Sequence, residues 1–105
     1  MDLPESVSQL ERELAATQDE LAILERRDAQ LESALRDVEH GMRRCGDAME
    51  RSGWRSVEAQ ARNTLLLESR EAIVDDREKI RARRAQLTER LVMIRRRLEE
   101  GDCDA

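Results

Sequence analysis

The chain has 105 residues, of which 41 % are charged and 1 % are aromatic, with no Phe and no Tyr. This composition excludes a broad globular core, because such a core needs many large apolar side chains. A narrow seam between long helices needs only Leu, Ile, Val and Ala, which the chain has. The length sets a limit of one domain, which we place at residues 1–105.

The net charge of −5 conceals opposite signs in the two halves of the chain. Residues 1–50 hold 13 acidic residues and 6 arginines, whereas residues 51–105 hold 13 basic and 11 acidic residues. Nine of the basic residues fall within residues 77–97, against two glutamates. Opposite charge favours packing of the two halves against each other. The basic surplus could also meet an acidic partner, or form a solvated face.

An apolar pattern with alternating spacings of four and three residues predicts one long helix from about residue 4 to residue 49. Only Thr17 and Asp28 of its thirteen seam positions are not apolar. Asp2 and Glu5 offer a helix start that resembles a capping box. The predicted seam consists of Val7, Leu10, Leu14, Thr17, Leu21, Leu24, Asp28, Leu31, Leu35, Val38, Met42, Cys45 and Met49.

Residues 50–55 are predicted to form the turn that follows this helix. Gly53 suits the positive φ that such a turn requires. Either Ser52 or Ser56 can cap the next helix. Trp54, the one aromatic residue, is expected to cover the end of the hairpin or to take part in partner binding.

The second half predicts a helix over about residues 56–100, with Gly101 ending it. A bend or break near residues 74–76 is the alternative, because the two aspartates there could cap a separate helix. We favour a continuous helix, since a break would leave the leucine seam of residues 7–24 without a partner. One heptad position is apolar throughout: Ala59, Leu66, Ile73, Ile80, Leu87 and Ile94. The other heptad position of this seam holds both polar and apolar residues: Ser56, Asn63, Arg70, Arg77, Arg84, Leu91 and Leu98.

These patterns predict an all-α fold, an elongated antiparallel helical bundle or coiled coil of two long helices in a hairpin. A pairing centred on residue 54 places Met42 near Leu66 and Asp28 beside Ile80. A shift of one heptad fits almost as well. An ion pair to the seam aspartate would set the register more than it would add stability. The arginines within reach of that aspartate are Arg77, Arg81 and Arg84.

No catalytic chemistry is indicated, because the sequence has no Gly-rich phosphate loop, no nucleophile–base set and no Cys/His ligand set. We therefore expect no enzyme, no metal site and no cofactor. Cys45 and Cys103 lack metal-ligand spacing and suggest a reducing compartment. The arginines lack interleaved aromatics, which argues against nucleic-acid binding. No apolar run reaches the ~20 residues of a membrane span, so we expect a cytoplasmic protein.

Residues 66–75, which read LLESREAIVD, resemble the most recognisable segment of the tubulin-binding cofactor A family. The family pattern is a Leu, an acidic residue with Ser or Thr, a basic residue and two apolar positions before a proline. Val74 replaces that proline, which bends the second helix in the family. The resemblance covers roughly residues 60–98, and the first helix matches only in heptad character. The matching residues are Leu66, Glu68, Ser69, Arg70 and Ile73.

This resemblance implies a tubulin-folding chaperone cofactor that holds β-tubulin intermediates before assembly of the αβ-tubulin heterodimer. It also implies that the chain acts together with the other tubulin-folding cofactors and associates with the cytoskeleton. The family fold is an antiparallel bundle of three helices, and we expect its short third helix to be reduced or absent here. The apolar residues then left for β-tubulin or for a second copy are Leu65, Leu67 and Val74.

The partner-binding residues expected from this resemblance form one set: Glu68, Ser69, Arg70, Arg77, Arg81, Arg84, Leu67 and Val74. β-Tubulin is strongly acidic, so the arginines are the natural contacts, and their effect would weaken with salt. The alternative for each arginine is an ion pair with the acidic first helix. The leucine seam alone suggests a different function, a structural coiled-coil scaffold or tether subunit that acts as a homodimer. We favour a monomer.

Overall fold

The computed structural model describes residues 6–53 and 56–103, with only the backbone described for residues 102 and 103. It contains two α-helices, α1 (Val7–Arg51) and α2 (Val57–Cys103), which pack as a hairpin. The described ranges contain no β-strand. The predicted all-α fold of two long helices in a hairpin is confirmed. The expected role of Trp54 concerns a residue outside the described ranges.

Ser6 caps the amino end of α1. The backbone N–H of Gln9 donates to Ser6 Oγ at 3.1 Å, and the N–H of Leu10 donates to the Ser6 carbonyl at 3.0 Å. Serine is a favoured N-cap because its side-chain oxygen accepts one of the N–H groups that lack a partner in the first turn. The predicted capping box of Asp2 and Glu5 lies outside the described residues.

The described part of the turn has two of its predicted features, although α1 continues through Arg51, two residues beyond its predicted end. Gly53 has a φ of 67°, in the left-handed region that favours glycine. Of the two candidate caps for α2, Ser56 is the one used, since its Oγ accepts the N–H of Ala59 at 3.1 Å. Ser52 instead donates its hydroxyl to the carbonyl of Met49 at 3.2 Å.

The second helix is continuous through the two aspartates at residues 75 and 76, so the continuous α2 that we favoured is confirmed. Its end differs from the prediction. α2 passes through Gly101 to Cys103, because Gly101 keeps a negative φ and does not form the left-handed cap that ends many helices.

The seam prediction is confirmed for α1. From Leu10 to Met49, every predicted seam residue is buried or half-buried, whereas Val7, at the first position of the helix, is exposed. The α2 seam is likewise buried or half-buried, with Arg70 as its exception. Arg70 was expected in line with the seam but is exposed, because its long stem lets the charged end reach water.

The chain divides into two compact units, which we describe separately. The terminal unit contains the residues up to Arg26 together with those from Ile80 onward. The turn unit is Arg27–Lys79. The buried residues of the terminal unit are Leu10, Thr17, Ile80, Leu87, Leu91 and Ile94. The buried residues of the turn unit are Cys45 and Met49, and the rest of its seam is half-buried except for the exposed Arg70.

Two contacts join the helices inside the turn unit, and the one at Gly41 decides between the two predicted registers. A Cβ added to Gly41 would lie 3.1 Å from Leu66 Cδ1, so this glycine stands directly against Leu66. Asp28 lies against Arg77, with Arg77 Nε 3.0 Å from Asp28 Oδ1. Both contacts agree with the pairing centred on residue 54, which places Leu66 near residue 42. The pairing shifted by one heptad would place Leu66 near residue 35, away from Gly41, whereas Arg77 is within reach of Asp28 in either pairing.

Candidate functional site

The predicted partner-binding residues divide between the two units. Arg81 and Arg84 belong to the terminal unit, and the other six belong to the turn unit. In the turn unit, an open depression on α2, which we call the Leu67 groove, brings three of the six together. It is lined by Leu67, Arg70, Glu71, Val74 and Asp75.

Leu67 and Val74 supply the apolar surface of the Leu67 groove. Each is 39 % exposed, and their spacing of seven residues places them on one side of the helix. Arg70 is exposed and makes no ion pair or hydrogen bond with any residue that the structure describes. Glu71 and Asp75 add two carboxylates beside it. The groove therefore combines a small apolar patch with charges of both signs.

Leu65 lies on a different side of α2 from Leu67 and Val74. Leu65 is 64 % exposed but does not line the groove that holds Leu67 and Val74. Residues two positions apart on an α-helix are related by a rotation of about 200° and so point about 160° apart, which turns Leu65 away from Leu67. Of the three apolar residues expected to be left for a partner, only Leu67 and Val74 therefore share one surface.

Glu68 and Ser69, which carry part of the family resemblance, are surface residues. Both are exposed, and neither lines the Leu67 groove. Within the described ranges, neither forms a hydrogen bond or an ion pair.

Arg77 is held inside the hairpin. Its Nε donates to Asp28 Oδ1 at 3.0 Å and its Nη2 to Oδ2 at 3.5 Å, with both side chains less than one-fifth exposed. The hydrogen bond to Asp28 raises the pKa of Arg77 above its usual value, and this effect outweighs the desolvation that lowers it. Of the three arginines considered for the seam aspartate, Arg77 is the one that neutralises it.

In the terminal unit, the two predicted arginines differ. Arg84 is half-buried and lies 3.5 Å from Glu25 through its Nη2. Arg81 is exposed and makes no ion pair with the described part of the chain. Arg81 is therefore the one of this pair whose charge is not paired within the described chain.

Arg83, which was not among the predicted site residues, makes a two-pronged ion pair with Glu20. Its Nε and Nη2 donate to the two carboxylate oxygens at 3.1 and 3.2 Å, and its Nη1 donates to Gln86 Oε1 at 3.2 Å. Residues 20 and 83 both flank the seam at equivalent heptad positions, which face each other in an antiparallel pair. That spacing was the signal that could have identified the pair.

A second depression of the turn unit lies beside the turn and was not expected from the sequence. It has a volume of about 460 Å³ and combines residues of both helices. We call it the arginine pocket. Its small lining residues are buried or half-buried: Gly41, Cys45, Ala48, Ser56 and Ala59. Its charged lining residues are exposed: Arg44, Arg51, Glu58 and Arg62.

The terminal unit carries a shallow apolar depression on α2, lined by Thr88, Glu89, Val92 and Met93. Neither described helix contains a stretch long and apolar enough to cross a membrane. Among the described residues, no three or more His, Cys, Asp or Glu side chains gather where they could hold a metal ion. In comparisons with known proteins, the chain matches no family model, no curated protein and no solved structure.

Proposed function

We propose that this chain is a binding protein that holds β-tubulin during tubulin folding, and that the Leu67 groove is part of its contact surface. The observation that carries this proposal is the exposed apolar pair Leu67 and Val74 beside Arg70, which has no partner in the described chain. These residues lie in the segment that resembles tubulin-binding cofactor A.

The apolar pair supports a holding function because exposed apolar surface rimmed by polar residues marks interaction sites, and arginine is enriched at protein interfaces. Leu67 and Val74 would supply the area that is removed from water on binding. Arg70 would supply the attraction to an acidic client. The proposal does not include the predicted contacts of Arg77 and Arg84 with the client, because both arginines are already paired with acidic residues of α1.

Capture of newly synthesised β-tubulin by the tagged full-length chain tests the proposal. The double variant Leu67→Ser with Val74→Ser and the single variant Arg70→Glu are each expected to lower capture at least fivefold. The matched controls are Leu65→Ser, an exposed leucine outside the groove, and Arg43→Glu, an exposed arginine without an ion pair in the described chain. Both controls should capture as the parent does, with unchanged helicity by circular dichroism. No capture at low salt, or equal losses in the controls, would refute the proposal.

The charge mixture of the Leu67 groove favours a second candidate, a homodimeric scaffold. One arginine and two carboxylates around an apolar pair form a self-complementary surface, since Arg70 of one copy can meet Glu71 or Asp75 of another across a two-fold axis. Sedimentation at several concentrations decides this question. A concentration-dependent dimer that Arg70→Glu dissociates supports the scaffold, and a monomer at every concentration excludes it.

A further inference from the structure

The arginine pocket is a positively charged site within an acidic part of the chain. Arg44, Arg51 and Arg62 line it against a single carboxylate, that of Glu58. Residues 27–79 as a whole hold 10 basic and 12 acidic residues, so the positive charge of the pocket is local. Like charges that share a depression repel each other, and a bound anion would relieve that repulsion.

The three guanidinium groups retain most of their hydrogen-bonding capacity. Arg44 and Arg62 make no ion pair or hydrogen bond with any described residue. Arg51 uses one donor, since its Nε–H reaches the carbonyl of Asp47 at 3.3 Å. Five arginines elsewhere in the described chain form ion pairs with carboxylates, whereas the three in the pocket form none, although Glu58 lines the pocket with them.

The small lining residues leave space between these arginines. Gly41, Cys45, Ala48 and Ala59 are the apolar part of the lining, and no large side chain fills the depression. Its volume of about 460 Å³ lies within the usual range for sites that bind small molecules.

We infer that the arginine pocket binds a small phosphate-bearing anion. A guanidinium group presents its N–H donors as a planar fork that fits phosphate oxygens, and a phosphate has enough acceptor oxygens for several forks at once. A single carboxylate would occupy one fork and leave the others unpaired. The inference is independent of the proposed β-tubulin function, because the pocket and the Leu67 groove share no lining residue.

Calorimetric titration of the full-length chain with pyrophosphate tests this inference. We expect saturable binding that is at least tenfold weaker in Arg44→Gln and in Arg62→Gln. The matched control is Arg43→Gln, because Arg43 neighbours Arg44, is exposed and lies outside the pocket. This control should keep the parent affinity. Circular dichroism should show the same helicity in all four proteins.

Two further measurements locate the site and define its ligand. Backbone amide shifts in an NMR titration should be concentrated around Gly41, Ala48 and Ala59. Inorganic phosphate should bind more weakly than pyrophosphate but at the same residues, and citrate should bind more weakly than either. Unsaturable binding, an equal loss in Arg43→Gln, or preference for citrate would each overturn the inference.

Discussion

Asp28 of α1 and Arg77 of α2 form a two-pronged contact across the turn unit, at 3.0 Å for Nε–Oδ1 and 3.5 Å for Nη2–Oδ2. Both side chains are less than one-fifth exposed, whereas those of Glu20 and Arg83 are more than two-fifths exposed. The two pairs therefore place similar chemistry in different surroundings, one largely shielded from water and one solvated.

This difference predicts unequal coupling energies in double-mutant cycles. Alanine substitutions at Glu20 and Arg83 should give a coupling of about 0.2–1 kcal/mol, the range measured for exposed pairs. The cycle at Asp28 and Arg77 should give a larger value, because either single substitution leaves the other charge half-buried without its partner. Urea denaturation measures both cycles. Equal coupling would show that the partial burial of Asp28 and Arg77 has no energetic effect.

The pH dependence of this contact follows from the raised pKa of Arg77. A raised folded-state pKa stabilises the protein below the unfolded-state pKa, and this contribution is lost only as the pH rises through the folded value. Both values are strongly alkaline for arginine, so Arg77 stays charged at neutral and mildly alkaline pH. The coupling of the pair should be the same at pH values of about 7 and 9.

The two glycines inside α1 should respond differently to alanine. Gly46→Ala is expected to stabilise the chain by about 1 kcal/mol, since alanine favours the helix and nothing lies within 4 Å of the added Cβ. Gly41→Ala gains the same stability from helix propensity, but its Cβ would lie 3.1 Å from Leu66 Cδ1. Leu66 must shift to accommodate it, so this variant should gain less or lose stability. The urea midpoints of the two variants test this order, and a larger gain at Gly41 would contradict the observed packing.

The sequence predicts the features that repeat or that depend on one residue type. Heptad spacing identifies the buried side of each helix because burial follows helical periodicity directly. Gly53 and Ser56 are predictable because a positive φ and an N-cap each demand particular residues. Even the partner of Asp28 was limited to three arginines by the helix register.

The heptad pattern did not predict features that depend on how far a side chain extends or on unfilled space between the helices. Arg70 occupies a seam position but is exposed, because a long flexible stem can leave the seam. The arginine pocket exists where small residues of both helices meet, so it depends on the register near Gly41. A linear pattern of apolar residues contains no information about such a space.

Thr17 should tolerate the loss of its hydroxyl better than the loss of its methyl group. Thr17 is 3 % exposed, and its hydroxyl donates to the carbonyl of Glu13 at 2.7 Å, one turn earlier in the same helix. Thr17→Val keeps the shape and removes a buried polar group whose local bond adds little, so stability should be equal or slightly higher. Thr17→Ser removes a buried methyl and should cost about 1 kcal/mol. Thermal unfolding of both variants measures the difference.

An exposed threonine provides the control for this pair of substitutions. Thr88 makes the same kind of bond, from its hydroxyl to the Arg84 carbonyl at 2.8 Å, but is exposed. Thr88→Ser should therefore lower the unfolding free energy less than Thr17→Ser does. If both cost the same, burial at Thr17 does not determine the effect.

Leu87 tests whether the apolar seam stabilises the terminal unit. This leucine is 1 % exposed, whereas Leu65 on the same helix is 64 % exposed. Leu87→Ala should cost about 2–5 kcal/mol, because it removes buried methyl groups and leaves a cavity. Leu65→Ala should change stability by less than about 0.5 kcal/mol, as is usual at the surface. Leu87→Val, a smaller truncation, should cost about 1 kcal/mol and remains measurable if alanine unfolds the chain. Both alanine substitutions change helix propensity by the same amount, so the difference between their unfolding free energies in urea reports the effect of burial. Similar losses at the two sites would mean that the seam does not stabilise this unit.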